Sequence, residues 1–196
     1  MKKEVKKELV QFGIIGLIAL VLYATSLHTQ AIGYLQRALL ATGLIRPDTE
    51  QLAAAELESR PPLDLNIGLL DVNGQPVVME AFRGKVIFVN LWATWCPPCL
   101  AEMPNIDQLY RDMDEEDVVF VMLSVDKDFS KAKTYVEGQD FALPIYQVLR
   151  NWPPELDATT IPSTFVIDRS GRIVLEHRGM AKYNTEDFRS FLRGLL

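Results

Sequence analysis

V-N-L-W-A-T-W-C-P-P-C-L-A-E-M-P, Val89 to Pro104, holds both cysteines of the chain, Cys96 and Cys99. The residues before them, G-K-V-I-F-V-N-L-W, are apolar and rich in β-branched and aromatic types, the composition of a short buried strand over Val86–Leu91. The residues after them place Leu100, Met103, Ile106, Leu109 and Tyr110 at helical spacing. Cys96 therefore falls where a strand hands over to a helix. First-turn N–H groups and the helix dipole favour a negative charge there, and the thiolate is the reactive form of cysteine. Cys99 follows one turn later, within reach of a disulfide with Cys96.

A C-x-x-C at a strand–helix junction is a thioredoxin-like redox signal. Two inert buried thiols would need an apolar interior, which a helix N-terminus flanked by Trp95 and two prolines is not. A structural zinc site needs four ligands, and two cysteines with only His28 and His177 fall short. No metal and no bound cofactor is expected. The segment W-A-T-W-C-P-P-C-L-A-E-M-P resembles the active-site stretch of TlpA-like (ResA-like) thiol-disulfide oxidoreductases, which are membrane-anchored thioredoxin-fold proteins of the bacterial envelope. The similarity runs from about Pro62 to the C-terminus.

The expected fold is accordingly α/β and thioredoxin-like: a mixed central sheet with helices on both faces and an N-terminal β-hairpin, preceded by an N-terminal transmembrane helix. The chain has 196 residues and a net charge of −6, of which the first ten residues contribute four lysines and two glutamates. The remainder is acidic, which excludes the basic surface that nucleic acid requires. Residues 1–8 read as a basic tail. Residues 9–25 carry no charge, a length at the short end of the roughly 17–25 residues that span a bilayer. A cleaved signal peptide is the competing reading, but no clear cleavage site follows. The lysines lie on the N-terminal flank, so the rest of the chain is expected outside the cytoplasm, anchored to the inner membrane by residues 9–25. Residues 26–61 form an amphipathic segment, lying on the membrane surface or packed on the domain, and then an alanine- and glutamate-rich linker. Residues 62–196 are the domain.

Within the domain the pattern predicts a hairpin turning at Asn73-Gly74, a helix from Pro97 interrupted by Pro104, and a second buried strand at V-V-F-V-M-L-S-V-D. Further on it predicts a helix capped by Ser130, a short strand near Ile145 and a short helix near Pro154. A strand over Thr159–Asp168 with an antiparallel partner follows, then a closing helix capped by Thr185, with Phe188, Phe191 and Leu192 inward.

In the expected mechanism Cys96 attacks and Cys99 resolves, through a mixed disulfide with the client. Pro97 and Pro98 stiffen the first turn but remove two N–H groups that could have faced the thiolate, so Cys96 is expected to be only moderately acidified. Thioredoxins carry a titratable Asp six residues before the first cysteine; here that position is Asn90. TlpA-like proteins have a glutamate in C-x-x-C-x-x-E, which assigns Glu102 as the acid–base group. T-I-P-S-T-F matches the family's cis-proline segment. The resemblance thus implies Trp95, Pro97, Pro98, Ile161 and Pro162 as client contacts. It also implies cysteine-containing envelope clients, such as apocytochrome c or copper-site proteins, and a membrane thiol donor of electrons. Two alternatives are weighed. A peroxiredoxin-like peroxidase would need a lone cysteine after P-x-x-x-T-x-x. A copper chaperone of this fold would need cysteines three apart with a histidine, and His177 reads as an ordinary strand residue.

Overall fold

The structure is a computed structural model that describes residues 7–8, 10–17, 27–49, 60–113 and 118–196, without the side chains of 27–31. Seven strands form one sheet. In chain order they are β1 (Gly68–Leu70), β2 (Pro76–Val78), β3 (Val86–Trp92), β4 (Val118–Ser124), β5 (Ile145–Arg150), β6 (Ser163–Ile167) and β7 (Ile173–Arg178). The helices are α1 (Leu27–Ala41), α2 (Pro97–Asp112), α3 (Phe129–Gly138) and α4 (Glu186–Gly194), with a 3₁₀ turn at Met79–Phe82. Across the sheet the strands run β2-β1-β5-β4-β3-β6-β7. β3, β4 and β5 are parallel and the outer pairings antiparallel, so the sheet is mixed.

β3 is buried along its whole length, as its unbroken apolar run requires in a sheet covered on both sides. Its side chains alternate between two cores. Val86, Phe88 and Trp92 join Met103, Ile106 and Leu109 of α2, Ala132 and Val136 of α3 and Phe188 and Leu192 of α4. Ile87, Val89 and Leu91 face Leu63, Leu65, Ile67, Met79 and Leu156. The expected helices on both faces are therefore not found among the described residues: α2, α3 and α4 share one core. The reason is topological. Strands β3, β4 and β5 step across the sheet in one direction, and right-handed crossovers then lay both intervening helices on the same face. Extended chain, the 3₁₀ turn and the loop carrying Leu156 cover the other.

The N-terminal hairpin forms, with Gly74 at φ +74° and the Asp71 carboxyl accepting from the N–H groups of Asn73 and Gln75. Thr185 caps α4 through Phe188 N, and its three inward residues are buried. Several boundaries differ from expectation: β4 ends at Ser124, two residues short of Asp126, and β3 runs one residue further, to Trp92. Asp128, not Ser130, caps α3, because its side chain accepts from Ser130 N. The region near Pro154 is a turn rather than a helix, held by Leu156 N to Pro153 O. β6 starts only at Ser163, after the proline.

α1 resolves the reading of residues 31–46: it packs against α2. Leu40 is buried, and Gly43 at φ +71° ends the helix by donating to Leu40 O. Arg46 then pairs with Asp187, and Lys182 N donates to Ile45 O. Residues 10–17 are helical with exposed apolar side chains, while Leu9 and residues 18–25 of the expected anchor lie outside the described residues. No helix among the described residues is long and apolar enough to cross a membrane. Most of the linker, residues 50–59, also lies outside them.

Candidate active site

β3 and β4 end side by side, with Trp92 opposite Ser124. The loop that leaves β3 carries Thr94, Trp95 and Cys96. Its position is fixed by Asp126, just beyond β4. Thr94 N donates to Asp126 Oδ2 at 2.9 Å, Thr94 Oγ1 to Oδ1 at 2.7 Å, and Ser124 Oγ to Oδ2 at 2.9 Å. Cys96 is the N-cap of α2, as its place between strand and helix predicts.

Cys96 and Cys99 are joined as a disulfide with Cα atoms 5.3 Å apart. The two sulfur positions are not equivalent. Cys96 keeps 5% of its surface exposed, whereas Cys99 is sealed. Of the two, Cys96 is the one that keeps any surface toward an incoming thiol or disulfide. The N–H of Cys99 points at Cys96 Sγ at 3.3 Å. Pro97 and Pro98, both half-buried, have no N–H to add, so this is the first-turn donor that the sulfur receives. Trp95 stands 65% exposed beside it.

Behind the sulfurs lies a buried polar knot. Glu102, one turn past Cys99, is fully buried. Its Oε1 accepts from Asn90 Nδ2 at 2.8 Å and its Oε2 from Ala181 N at 3.0 Å. Burial pushes its carboxyl up to about 8, and the two hydrogen bonds offset that only in part. Asn90 Nδ2 also donates to Thr164 Oγ1 at 2.9 Å, while Asn90 Oδ1 has no partner among the described residues. Tyr183, buried beside this knot, has its hydroxyl pushed well above the usual range, first by burial and then by the Glu102 charge. A carboxyl poised near neutrality can take a proton and return it, which a resolving thiol requires.

Ile161-Pro162 is a cis peptide, as the T-I-P-S-T-F segment suggests. Register places it: Leu91 pairs with Ser163, so Pro162 lies level with the end of β3 from which the Cys96 loop departs. Pro162 is buried and Ile161 half-buried, and Pro162 O accepts from Gly179 N. His177 is a half-buried β7 residue against the Tyr183 ring, its imidazole pushed down by burial.

The structure thus brings Cys96, Cys99, Glu102 and the cis-proline segment to one end of the sheet. Sequence reasoning missed Asp126, Thr164, Ala181 and Tyr183. Asp126 had a faint signal, a charge directly after an apolar strand. Thr164 lies on β6 opposite Asn90, inside the T-I-P-S-T-F segment, while Ala181 and Tyr183 come from distant chain that no local pattern places. Asn90 was noted only as unable to titrate; it is the side chain that holds Glu102.

Comparisons with known proteins agree with this geometry. The redoxin family profile matches residues 55–192. The chain is 29% identical over 119 residues to thiol-disulfide oxidoreductase ResA of Bacillus thuringiensis, covering 58% of this chain and 66% of that one, just under two thirds of its length. It is 30% identical over 128 residues to the protein of the same name from Geobacillus thermodenitrificans, covering 64% and 70%. A thiol:disulfide interchange protein of the thioredoxin family from Chlorobium tepidum superposes with a TM-score of 0.55 at 28% identity, covering 69% of this chain and 97% of that one. With a thioredoxin-like sheet, a cysteine pair set for thiol–disulfide exchange and a family match over most of its length, the chain belongs to the redoxin family.

Proposed function

We propose that this protein is a thiol-disulfide oxidoreductase that reduces protein disulfides on the outer side of the bacterial inner membrane, anchored through residues 9–25. One observation carries the reading: a disulfide of which Cys96 keeps some exposed surface and Cys99 none, with a buried carboxyl near neutrality one turn further along the helix. In the reduced protein the Cys96 thiolate attacks one sulfur of a client disulfide. That bond breaks, the client's other sulfur leaves as a thiolate, and a mixed disulfide forms. The Cys99 thiol gives its proton to Glu102 in the ionised form of that carboxyl and attacks Cys96 Sγ. The client's second thiolate is released and the Cys96–Cys99 disulfide closes, so two electrons pass to the client. A thiol donor later reverses the sequence on the enzyme.

The reducing direction is supported by the single N–H on Cys96 Sγ, since an oxidant of this class stabilises its thiolate far more. The extracytoplasmic side is supported by the lysines ahead of residues 9–25. Maturation of cytochrome c or assembly of a copper site suits such a reductase, with a membrane thiol carrier as donor. Insulin reduction with a thiol donor tests the activity, and Cys96→Ser should abolish it. Titration of Cys96 tests the direction: a thiolate that persists at strongly acid pH would reverse it. Cys99→Ser in the native host should leave clients trapped on Cys96, and their identities would name the pathway.

A further inference from the structure

A cavity of about 540 Å³ opens beside the Cys96 loop. It is lined by Gly33, Tyr34 and Arg37 of α1, by Trp95, Pro97 and Leu100 around the start of α2, and by Tyr135 of α3 with Gln139 just past its end. The wall from α1 is tied to the helix that carries the cysteines. Pro104 has no N–H, so the Leu100 carbonyl four residues earlier lacks its helical donor. Arg37 Nη2 takes that place at 3.4 Å. Lys182 Nζ reaches the α1 C-terminus at Ala41 O, also at 3.4 Å.

We propose that this cleft receives the client polypeptide, seating an apolar side chain one to three residues from the client's cysteine, so that the helix ahead of the thioredoxin-like domain is a wall of the client site. The inference rests on the reading of Cys96 as the sulfur that meets clients. A client in mixed disulfide is bonded to Cys96, whose two chain neighbours, Trp95 and Pro97, both line the cleft. An extended chain advances about 3.3–3.6 Å per residue, so the client's nearest residues must cross these walls. The volume is that of a small-ligand pocket, enough for a large side chain and its backbone. Its rim carries two exposed aromatics, Tyr34 at 70% and Trp95 at 65%, the residue types that anchor protein contacts. A flat lipid surface would not fill a concavity lined by Arg37, Tyr135 and Gln139.

The test uses the reduced full chain and two synthetic peptides, each with one cysteine disulfide-bonded to thionitrobenzoate. One peptide has Phe two residues from the cysteine and the other has Gly there. Release of the coloured thiolate reports attack by Cys96. The protein should react with the Phe peptide about tenfold faster than with the Gly peptide. Gly33→Trp, at a site where an added Cβ meets nothing within 4 Å, should fill the cleft and bring the two rates together. Tyr34→Ala, which removes an exposed ring and leaves the core intact, should reduce the preference about threefold. A preference that survives both substitutions, or equal rates in the unsubstituted protein, overturns the proposal. So does Gly33→Trp changing only binding to anionic phospholipid vesicles, which would assign this face to the membrane. Failure to attack even dithiobis(nitrobenzoate), a small disulfide that needs no cleft, would instead sink the oxidoreductase reading.

Discussion

Glu102 and Asp126 are both buried carboxyl groups, one on each side of the cysteine loop, and their surroundings differ in one respect. Asp126 receives three donors from two neighbouring residues and holds the loop that leads to Cys96. Glu102 receives two, one of them from an amide it shares with Thr164. It lies deep enough that burial outweighs them and lifts it to about 8. The lesson is that the same functional group becomes a clamp or a proton carrier according to how many donors meet it and how little water does.

The contrast can be broken most forcefully through stability. The folded protein holds a proton on Glu102 up to about pH 8, whereas the unfolded chain releases it near 4.5. Between those values the native state binds more protons, so stability is full below about pH 4.5 and falls as pH rises through 8. The loss should be roughly 3–5 kcal/mol at about 1.4 kcal/mol per unit. Denaturant unfolding of the oxidised protein at pH 5 and pH 9 measures it, and Glu102→Gln should flatten the slope. A slope unchanged by that substitution would assign it to other groups.

Next in size is the effect of the same substitution on exchange. General acid–base catalysis contributes about 10²–10⁴-fold, so Glu102→Gln should slow disulfide closure by about a hundredfold and remove the pH dependence near 8. Stopped-flow Trp fluorescence would follow it, and an unaltered closure rate would take Glu102 out of the reaction. Asp126→Ala strands three donors and should cost about 2–3 kcal/mol of stability, read by thermal unfolding, without moving the pH midpoint of exchange. A moved midpoint would mean that the two carboxyls are not separable roles. The smallest effect is expected from Asn90→Leu. It removes one of the two hydrogen bonds that restrain Glu102, so the exchange midpoint should shift to higher pH, and a shift downward would contradict the role given to that amide.

The reactive junction was legible because it depends on local pattern. The apolar run of β3, the helical spacing after Cys99 and the two prolines fix Cys96 as an N-cap without reference to the rest of the molecule. The cis bond at Pro162 was legible through the family motif around it. What could not be read is what distant chain does. The donor from Ala181 and the burial of Tyr183 depend on where the irregular segment after Gly179 returns, and the docking of α1 involves a carbonyl freed by Pro104. The one-sided layer of helices was also within reach, had the order of the parallel strands been known. The cap of α3 slipped by two residues because Asp128 and Ser130 are both competent caps and only geometry chooses between them.

The sealed position of Cys99 has a kinetic consequence. In the reaction proposed above, electrons have a single doorway into and out of the protein, Cys96, because Cys99 is sealed. Donor and client must therefore take turns, and neither can dock while the other is attached. Turnover should follow a ping-pong pattern, with parallel double-reciprocal lines. An excess of either partner should compete with the other for the same threshold.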